Sequence, residues 1–261
     1  MHYGLQTHFD ARIPAADLEA VRGFGFGWCR LDAQAVDVPT MQTMIADVEG
    51  AGLRPLTILY DLDRLEAVPP GRWVEWGNEL DFTTPPREYR DSLAAAAALG
   101  ALLGIPIVAP CISNLDLDSL RWCDQVRGKG WPAGVVGISV HRYGDGTFDW
   151  SHPGFRTRED EVVALRQLCD GRPYLVTEFG YKTGTGAGFV TEADQAAYIT
   201  QEWAFWLKEG ARAAFLYQLN DGPTAEEGFG IRRCEPDGTL IGWKPAAWTV
   251  PVPLPLDGDP L

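Results

Sequence analysis

Trp73-Val-Glu-Trp-Gly-Asn-Glu79 and Tyr174-Leu-Val-Thr-Glu178-Phe-Gly are two apolar, strand-like runs, each closing on a glutamate before the chain breaks into loop. Roughly a hundred residues separate the two glutamates. That distance suits a (β/α)8 barrel with both acids at the carboxyl ends of strands, on the rim where such barrels carry their chemistry. On either side the chain alternates strand-like and helix-like segments, the pattern of a parallel sheet with crossover helices. Strands are expected at about 4–9, 26–31, 55–60, 73–77, 105–110, 136–141, 174–178 and 213–218. Eight strands close a barrel, and 261 residues suit one. No Gly/Ser-rich or strongly charged linker divides the sequence. The expected fold is therefore α/β, a compact TIM barrel over residues 1–248 with a Pro-rich tail over 249–261.

The helical segments carry their own punctuation. Thr157-Arg-Glu-Asp160 and Thr191-Glu-Ala-Asp194 have the spacing of capping boxes, with Asp as the third-position carboxylate. Thr84 followed by Pro85 and Pro86 reads as a capped start to a helix running to about Leu103. The helix from Glu192 should end at Gly210 in a left-handed cap, with Trp203, Trp206 and Leu207 at core spacing. Only about a dozen residues, 61–72, lie between the third and fourth strands, and they include Pro69-Pro70. A full helix with two loops does not fit there, so a rudimentary turn is expected in its place.

Composition narrows the function. A net charge of −14 argues against nucleic-acid or anionic-membrane partners, which need a basic footprint. The apolar stretch 93–109 is broken by Gly100, Gly104 and Pro106, so it reads as a helix and a strand, not a membrane span. Five cysteines without a Cys-x-x-Cys suggest neither a zinc knuckle nor a redox pair. Cys29, Cys111 and Cys169 read as buried free thiols. Four histidines show no ligand spacing and no Gly-rich phosphate cradle follows a strand, so no metal and no cofactor are expected. The chain opens almost directly into a strand without a signal-peptide core, which reads as cytoplasmic, while secretion of a longer precursor stays open. A monomer is expected.

Two facing carboxylates have a specific use. A glycosidic oxygen leaves poorly unless protonated, and the oxocarbenium-like transition state needs a nearby carboxylate. One carboxyl must hold a proton near neutral pH while the other stays ionised, so their surroundings must differ. Glu75 shares the face of Glu79 and is expected to be the buried partner of an arginine. Asn78 and Glu79 are adjacent, so both reach one site only if the strand ends or bulges there.

The chain resembles the clan A glycoside hydrolases, retaining (β/α)8 enzymes acting mainly on β-linked sugars. The resemblance rests on Glu75-Trp-Gly-Asn78-Glu79 after strand four and Thr177-Glu178-Phe-Gly180 after strand seven. Arg30, His141-Arg-Tyr143 and Phe215-Leu-Tyr-Gln-Leu-Asn-Asp221 reinforce it, as do Phe229-Gly-Ile, Asp237-Gly and Lys244-Pro-Ala. It implies Glu79 as acid/base, Glu178 as nucleophile and Asn78 as the contact to a sugar 2-hydroxyl. Arg30 beside Glu178 would keep that carboxylate ionised, and Tyr143 could aim it. His141 would line the subsite or orient the pair. The aromatic platform that the family commonly places after strand eight, usually Trp, is Tyr217 here; Trp28, Trp76 and Trp150 are the other candidates, although Trp76 could face outward.

The expectation is a retaining O-glycosyl hydrolase whose partner is an oligo- or polysaccharide. The short-looped barrel favours endo action on a β-glucan, mannan or xylan. The alternatives are an exo-acting β-glycosidase or transglycosylase, a carbohydrate-binding barrel without turnover, and another barrel hydrolase or isomerase of unrelated mechanism, which a required metal would favour.

Overall fold

A computed structural model describes residues 1–7, 13–221, 228–234 and 239–251. Eight parallel strands close into a barrel in sequence order: β1 (His2–Thr7), β2 (Trp28–Asp32), β3 (Arg54–Leu59), β4 (Trp73–Trp76), β5 (Ile107–Val108), β6 (Val135–Tyr143), β7 (Tyr174–Gly180) and β8 (Ala213–Leu216). All eight expected strands are present. Strand five is shorter than the sequence suggests, and strands six and seven run two residues further toward the rim. Residues 8 and 9 of the first expected strand lie outside the described residues, as do Asp237 and residues 252–261 of the tail.

The helices between them are α1 (Ala15–Gly23), α2 (Val38–Gly50), α3 (Leu62–Leu65), α4 (Pro86–Leu103), α5 (Leu117–Arg127), α6 (Arg158–Cys169) and α7 (Glu192–Lys208). The third is a single turn, as the length of its crossover requires. Thr157 and Asp160 form the reciprocal capping box at the start of α6. Thr191 caps α7 by accepting from the Asp194 N–H, but its hydroxyl is bonded to the Asp194 carboxylate, so the second half of the box is missing. Pro85, not Thr84, occupies the cap position of α4 and offers no side-chain bond. Gly210 follows α7 in the left-handed conformation. Trp203 and Trp206 are buried as expected, whereas Leu207 is half exposed, one position off the buried stripe. After β8 comes a feature absent from the sequence reading: an antiparallel hairpin, β9 (Arg232–Cys234) and β10 (Leu240–Trp243), followed by a 3-10 turn (Pro245–Trp248) packed on α7.

Two apolar layers hold the barrel. The larger lies between strands and helices, because alternate strand residues such as Leu5, Cys29, Leu31 and Val74 point outward. The smaller fills the barrel's lower interior with Trp28, Leu56, Trp73, Val108, Leu175, Ala213 and Phe215. Gly4 is required there: a Cβ would meet the Phe215 ring at 2.2 Å. Above this plug the interior turns polar, with Gln6, Arg30, Glu75, Ser139, His141 and Thr177 all buried. No helix among the described residues is long and apolar enough to cross a membrane.

Candidate active site

The polar layer is organised by one guanidinium. Arg30, two residues above Trp28 on the inward face of β2, is completely buried. Its Nε donates to Glu75 Oε2 at 2.5 Å, and Nη1 donates to Gln6 Oε1 at 2.9 Å and Glu178 Oε1 at 2.5 Å. Nη2 donates to Asn78 Oδ1 at 2.7 Å. A planar five-donor fork suits such a crowd of acceptors, which lysine could not serve. Burial works against the charge of Arg30, but Glu75 and Glu178 more than offset it and hold the group protonated well above its ordinary range. Glu75 is thus the buried arginine partner that its position implied.

Glu178 reaches the interior through an irregularity. Leu175 points inward, so regular alternation would send Thr177 in and Glu178 out. Along β6 and β7, however, Val140 pairs with Val176 and the next residue, His141, pairs with Glu178. Thr177 is the extra residue of a β-bulge, and both it and Glu178 face the barrel. Phe179 then faces outward onto Trp203, with ring centroids 4.7 Å apart. Tyr143 donates its hydroxyl to Glu178 Oε2 at 2.6 Å. Burial, then the charge and hydrogen bond of Glu178, push the Tyr143 phenol far up, so it stays a donor.

Glu79 arrives by a different route. β4 ends at Trp76, and Gly77 (φ 83°) and Glu79 (φ 52°) both adopt left-handed backbone. For a glutamate that conformation costs of order 1 kcal/mol and persists only where surroundings enforce it. Here the Glu79 N–H donates to the carbonyl of Cys111 at 2.9 Å. The turn brings Asn78 and Glu79 to the same cavity. His141 stands between the two acids, its Nδ1 2.9 Å from Glu79 Oε1 and 3.4 Å from Glu178 Oε2. One carboxylate oxygen of Glu79 and one of Glu178 lie within 4.8 Å of each other. Their surroundings differ: the Glu178 side chain is 7% exposed and paired with Arg30, whereas that of Glu79 is 35% exposed with His141 as its partner.

The two acids open into a cavity of about 670 Å³, within the range of small-ligand sites. Asn78, Tyr143 and Tyr217 line it, together with Tyr181, Phe189 and Phe229. Tyr143, Tyr217 and Phe229 pack against one another with centroids 5.3–6.0 Å apart, forming an aromatic wall beside Glu178.

Of the residues anticipated from sequence, Glu79, Glu178, Asn78, Arg30, His141, Tyr143 and Tyr217 converge. Trp28 does not. It points into the barrel as alternation requires, but two residues below Arg30, where it packs edge-on against Trp73 and Phe215. Trp150 does not line the cavity either; it lies behind the rim on the Arg142 guanidinium and against His152. Trp76 faces outward and donates to Ser92 of α4. Missed from sequence were Gln6, a lone amide in an apolar strand, and Cys111, whose Sγ lies 2.8 Å from His141 Nε2. Phe189 was also missed, and Phe229 had been noted only as part of the closing run.

Glu79, His141 and Glu178 are also close enough to share a cation. Arg30 and Tyr143 already donate to both Glu178 oxygens, so an ion there would sit against the fixed positive charge of Arg30.

No family model and no curated protein matches the chain by sequence. Among solved structures it is similar to a glucosidase from Croceicoccus marinus, with TM-score 0.64 and 17% identity over 90% of this chain. The chain spans only 64% of that protein's length. It is also similar to a GH128 (subgroup I) endo-beta-1,3-glucanase from Amycolatopsis mediterranei, a mutant in complex with laminaripentaose. There the TM-score is 0.61 and the identity 17%, over 95% of this chain and 97% of that one. A family 17 beta-1,3-glucanosyltransferase from Rhizomucor miehei aligns with TM-score 0.64 and 12% identity, over 92% of this chain and 95% of that one. The shared feature is the (β/α)8 fold.

Proposed function

We propose that this protein is a retaining glycoside hydrolase acting on β-glucans, with Glu178 as nucleophile and Glu79 as acid/base. The observation that carries the reading is the approach of the two carboxylates to within 4.8 Å at the nearest oxygens. Retaining enzymes hold their carboxyl groups about 5–5.5 Å apart, whereas inverting enzymes leave about 6.5–9.5 Å for a water.

The roles follow from the surroundings. Arg30 and Tyr143 favour an ionised, aimed Glu178, which attacks the anomeric carbon as Glu79 protonates the departing oxygen. Water, deprotonated by Glu79, then releases the glycosyl-enzyme. Asn78 gives its Oδ1 to Arg30, so its amide N–H groups are what remain for a sugar 2-hydroxyl. The wall of Tyr143, Tyr217 and Phe229 offers apolar faces to a pyranose.

Support for a β-glucan comes from the similar structures, whose names give β-1,3-glucan-active enzymes and a glucosidase, some holding laminari-oligosaccharides. The cavity walls come from the loops after β4, β6, β7 and β8. The crossover between β3 and β4 carries only the one-turn α3, a low part of the rim, and this favours a groove and endo action. The test is reducing-sugar release and product analysis on β-1,3-glucan, other β-glucans, mannan, xylan and aryl β-glycosides. Release that vanishes in Glu178→Gln is the expected result. Binding without turnover in the wild type would instead indicate a carbohydrate-binding barrel.

A further inference from the structure

The ring of His141 has different company on its two nitrogens. Among the described residues, Nδ1 faces the carboxylates of Glu79 and Glu178. Nε2 lies 2.8 Å from Cys111 Sγ and 3.4 Å from Arg30 Nη2. A guanidinium donates and cannot accept. Cys111 is buried, with burial first and Glu75 second pushing its thiol far above the ordinary range while Arg30 opposes them. The sulfur therefore carries its hydrogen and can donate it. With the Arg30 guanidinium and the Cys111 thiol both beside Nε2, the ring is served best with its lone pair there and its proton on Nδ1 facing the carboxylates; an N–H on Nε2 would point a second proton at the guanidinium.

We propose, resting on the assignment of Glu79 as acid/base, that Cys111 is a positioning residue for the reaction. Together with Arg30 it locks His141 as the Nδ1–H tautomer, so that Glu79 accepts at Oε1 and carries its transferable proton on Oε2. The arrangement explains why a thiol without redox or metal partners sits in the polar layer at the end of β5. Cys111 Sγ also lies 3.4 Å from Asn78 Oδ1, a weaker acceptor than the imidazole, 3.7 Å from Thr177 Oγ1, and 3.5 Å from Arg30 Nη2, which donates to the sulfur.

The charged and titratable groups around this relay are Arg30 on β2, Glu75 on β4, Glu79 beyond it, Tyr143 on β6 and Glu178 on β7. An N–H donated from Nδ1 fixes the rotation of the Glu79 carboxyl, with Oε1 as the acceptor and Oε2 turned to the substrate. Loss of that donation lets the carboxyl turn away from the departing oxygen and lowers kcat more than it changes KM.

The decisive measurement is long-range 1H–15N NMR of the histidine rings at neutral pH, with His141→Gln used to assign the signal. A protonated Nδ1 beside a bare Nε2 is expected; a protonated Nε2, alone or with Nδ1, overturns the proposal. This readout needs no turnover, so it stands or falls separately from the choice of substrate. In the same NMR readout, Cys111→Ser keeps a donor and should retain the Nδ1–H tautomer, while Cys111→Ala should populate both tautomers and lower kcat more than it changes KM. If Cys111→Ala keeps the wild-type tautomer and kcat, Cys111 only fills space and the positioning role is wrong.

Discussion

Glu178 pairs with His141 across β7 and β6, one residue out of the register that Val176 keeps with Val140. That slip turns Glu178 from the helix-facing side of the sheet into the barrel, beside Arg30 and Tyr143. The same slip returns Phe179 to the outer layer against Trp203, so the apolar core loses nothing by it. Glu79 reaches the site with a different device, a left-handed turn at the end of a four-residue strand. Two irregularities on strands three places apart around the barrel therefore aim two carboxylates at one point. Each keeps its own surroundings, as acid and nucleophile require.

Those surroundings predict different penalties for removing each acid. Glu178→Gln should abolish cleavage of all substrates, since the covalent step has no substitute. Glu79→Ala should lower turnover of glucan by about 10²–10⁴-fold. It should lower the glycosylation step far less on aryl glycosides, whose acidic phenols leave without a proton. Added azide should then restore turnover of the Glu79→Ala variant as a β-glycosyl azide. Equal losses on glucan and on activated aryl glycosides would reverse or remove the assignment.

Arg30 holds up the structure as well as the site. Arg30→Met would strand the carboxylates of Glu75 and Glu178 in a buried layer, at a cost of about 3–5 kcal/mol. The double variant Arg30→Met with Glu75→Leu should recover much of that stability in urea denaturation but none of the activity. Glu178 would still lack its counter-charge. Full activity in the double variant would show that Glu178 does not depend on Arg30.

The strand order, the short third crossover and the two acids were legible because each depends on local pattern: an apolar run, a loop length, a glutamate at a strand end. The carbohydrate-site tryptophans were not, because alternation tells which face Trp28 takes but not its depth. One step of two residues separates the apolar plug from the polar layer. The bulge at Thr177 was equally hidden, since it is a property of the pairing with β6 and not of the run 174–180. Cys111 read correctly as a buried thiol, yet its contact with His141 joins β5 to β6 across a register that only the closed barrel sets. The hairpin β9–β10 went unread because Arg232-Arg-Cys234 offers charged side chains where an apolar strand run would be sought.

Glu79, His141 and Glu178 could together ligate a divalent ion, which makes metal dependence a fair question for this site. Arg30 and Tyr143 supply at Glu178 the charge neutralisation that a metal would bring. Activity should therefore survive dialysis against EDTA unchanged, and excess zinc should inhibit by bridging the acids. Loss of activity on chelation with recovery on adding metal would replace double displacement by a metal-assisted mechanism.

At the opposite end of the barrel, one histidine makes stability depend on pH. His2 opens β1, with its pKa lowered to about 4, first by burial and then by the chain's amino terminus, Arg212 and Arg54. An unfolded histidine titrates near 6.5, so between that value and about 4 the unfolded chain binds more protons than the folded one. Stability then rises with pH across this window. The contribution of His2 is fully present above about pH 6.5 and is lost as the pH falls toward 4. Partial exposure to solvent screens the effect, so it should show as a shift in Tm and not as acid unfolding by itself. His2→Gln removes the titrating group while keeping a polar side chain of similar reach. Its Tm should approach or exceed that of the wild type at pH 4.5, relative to their difference at pH 7.5. A Tm difference independent of pH between 4.5 and 7.5 would mean that His2 is not the group responsible.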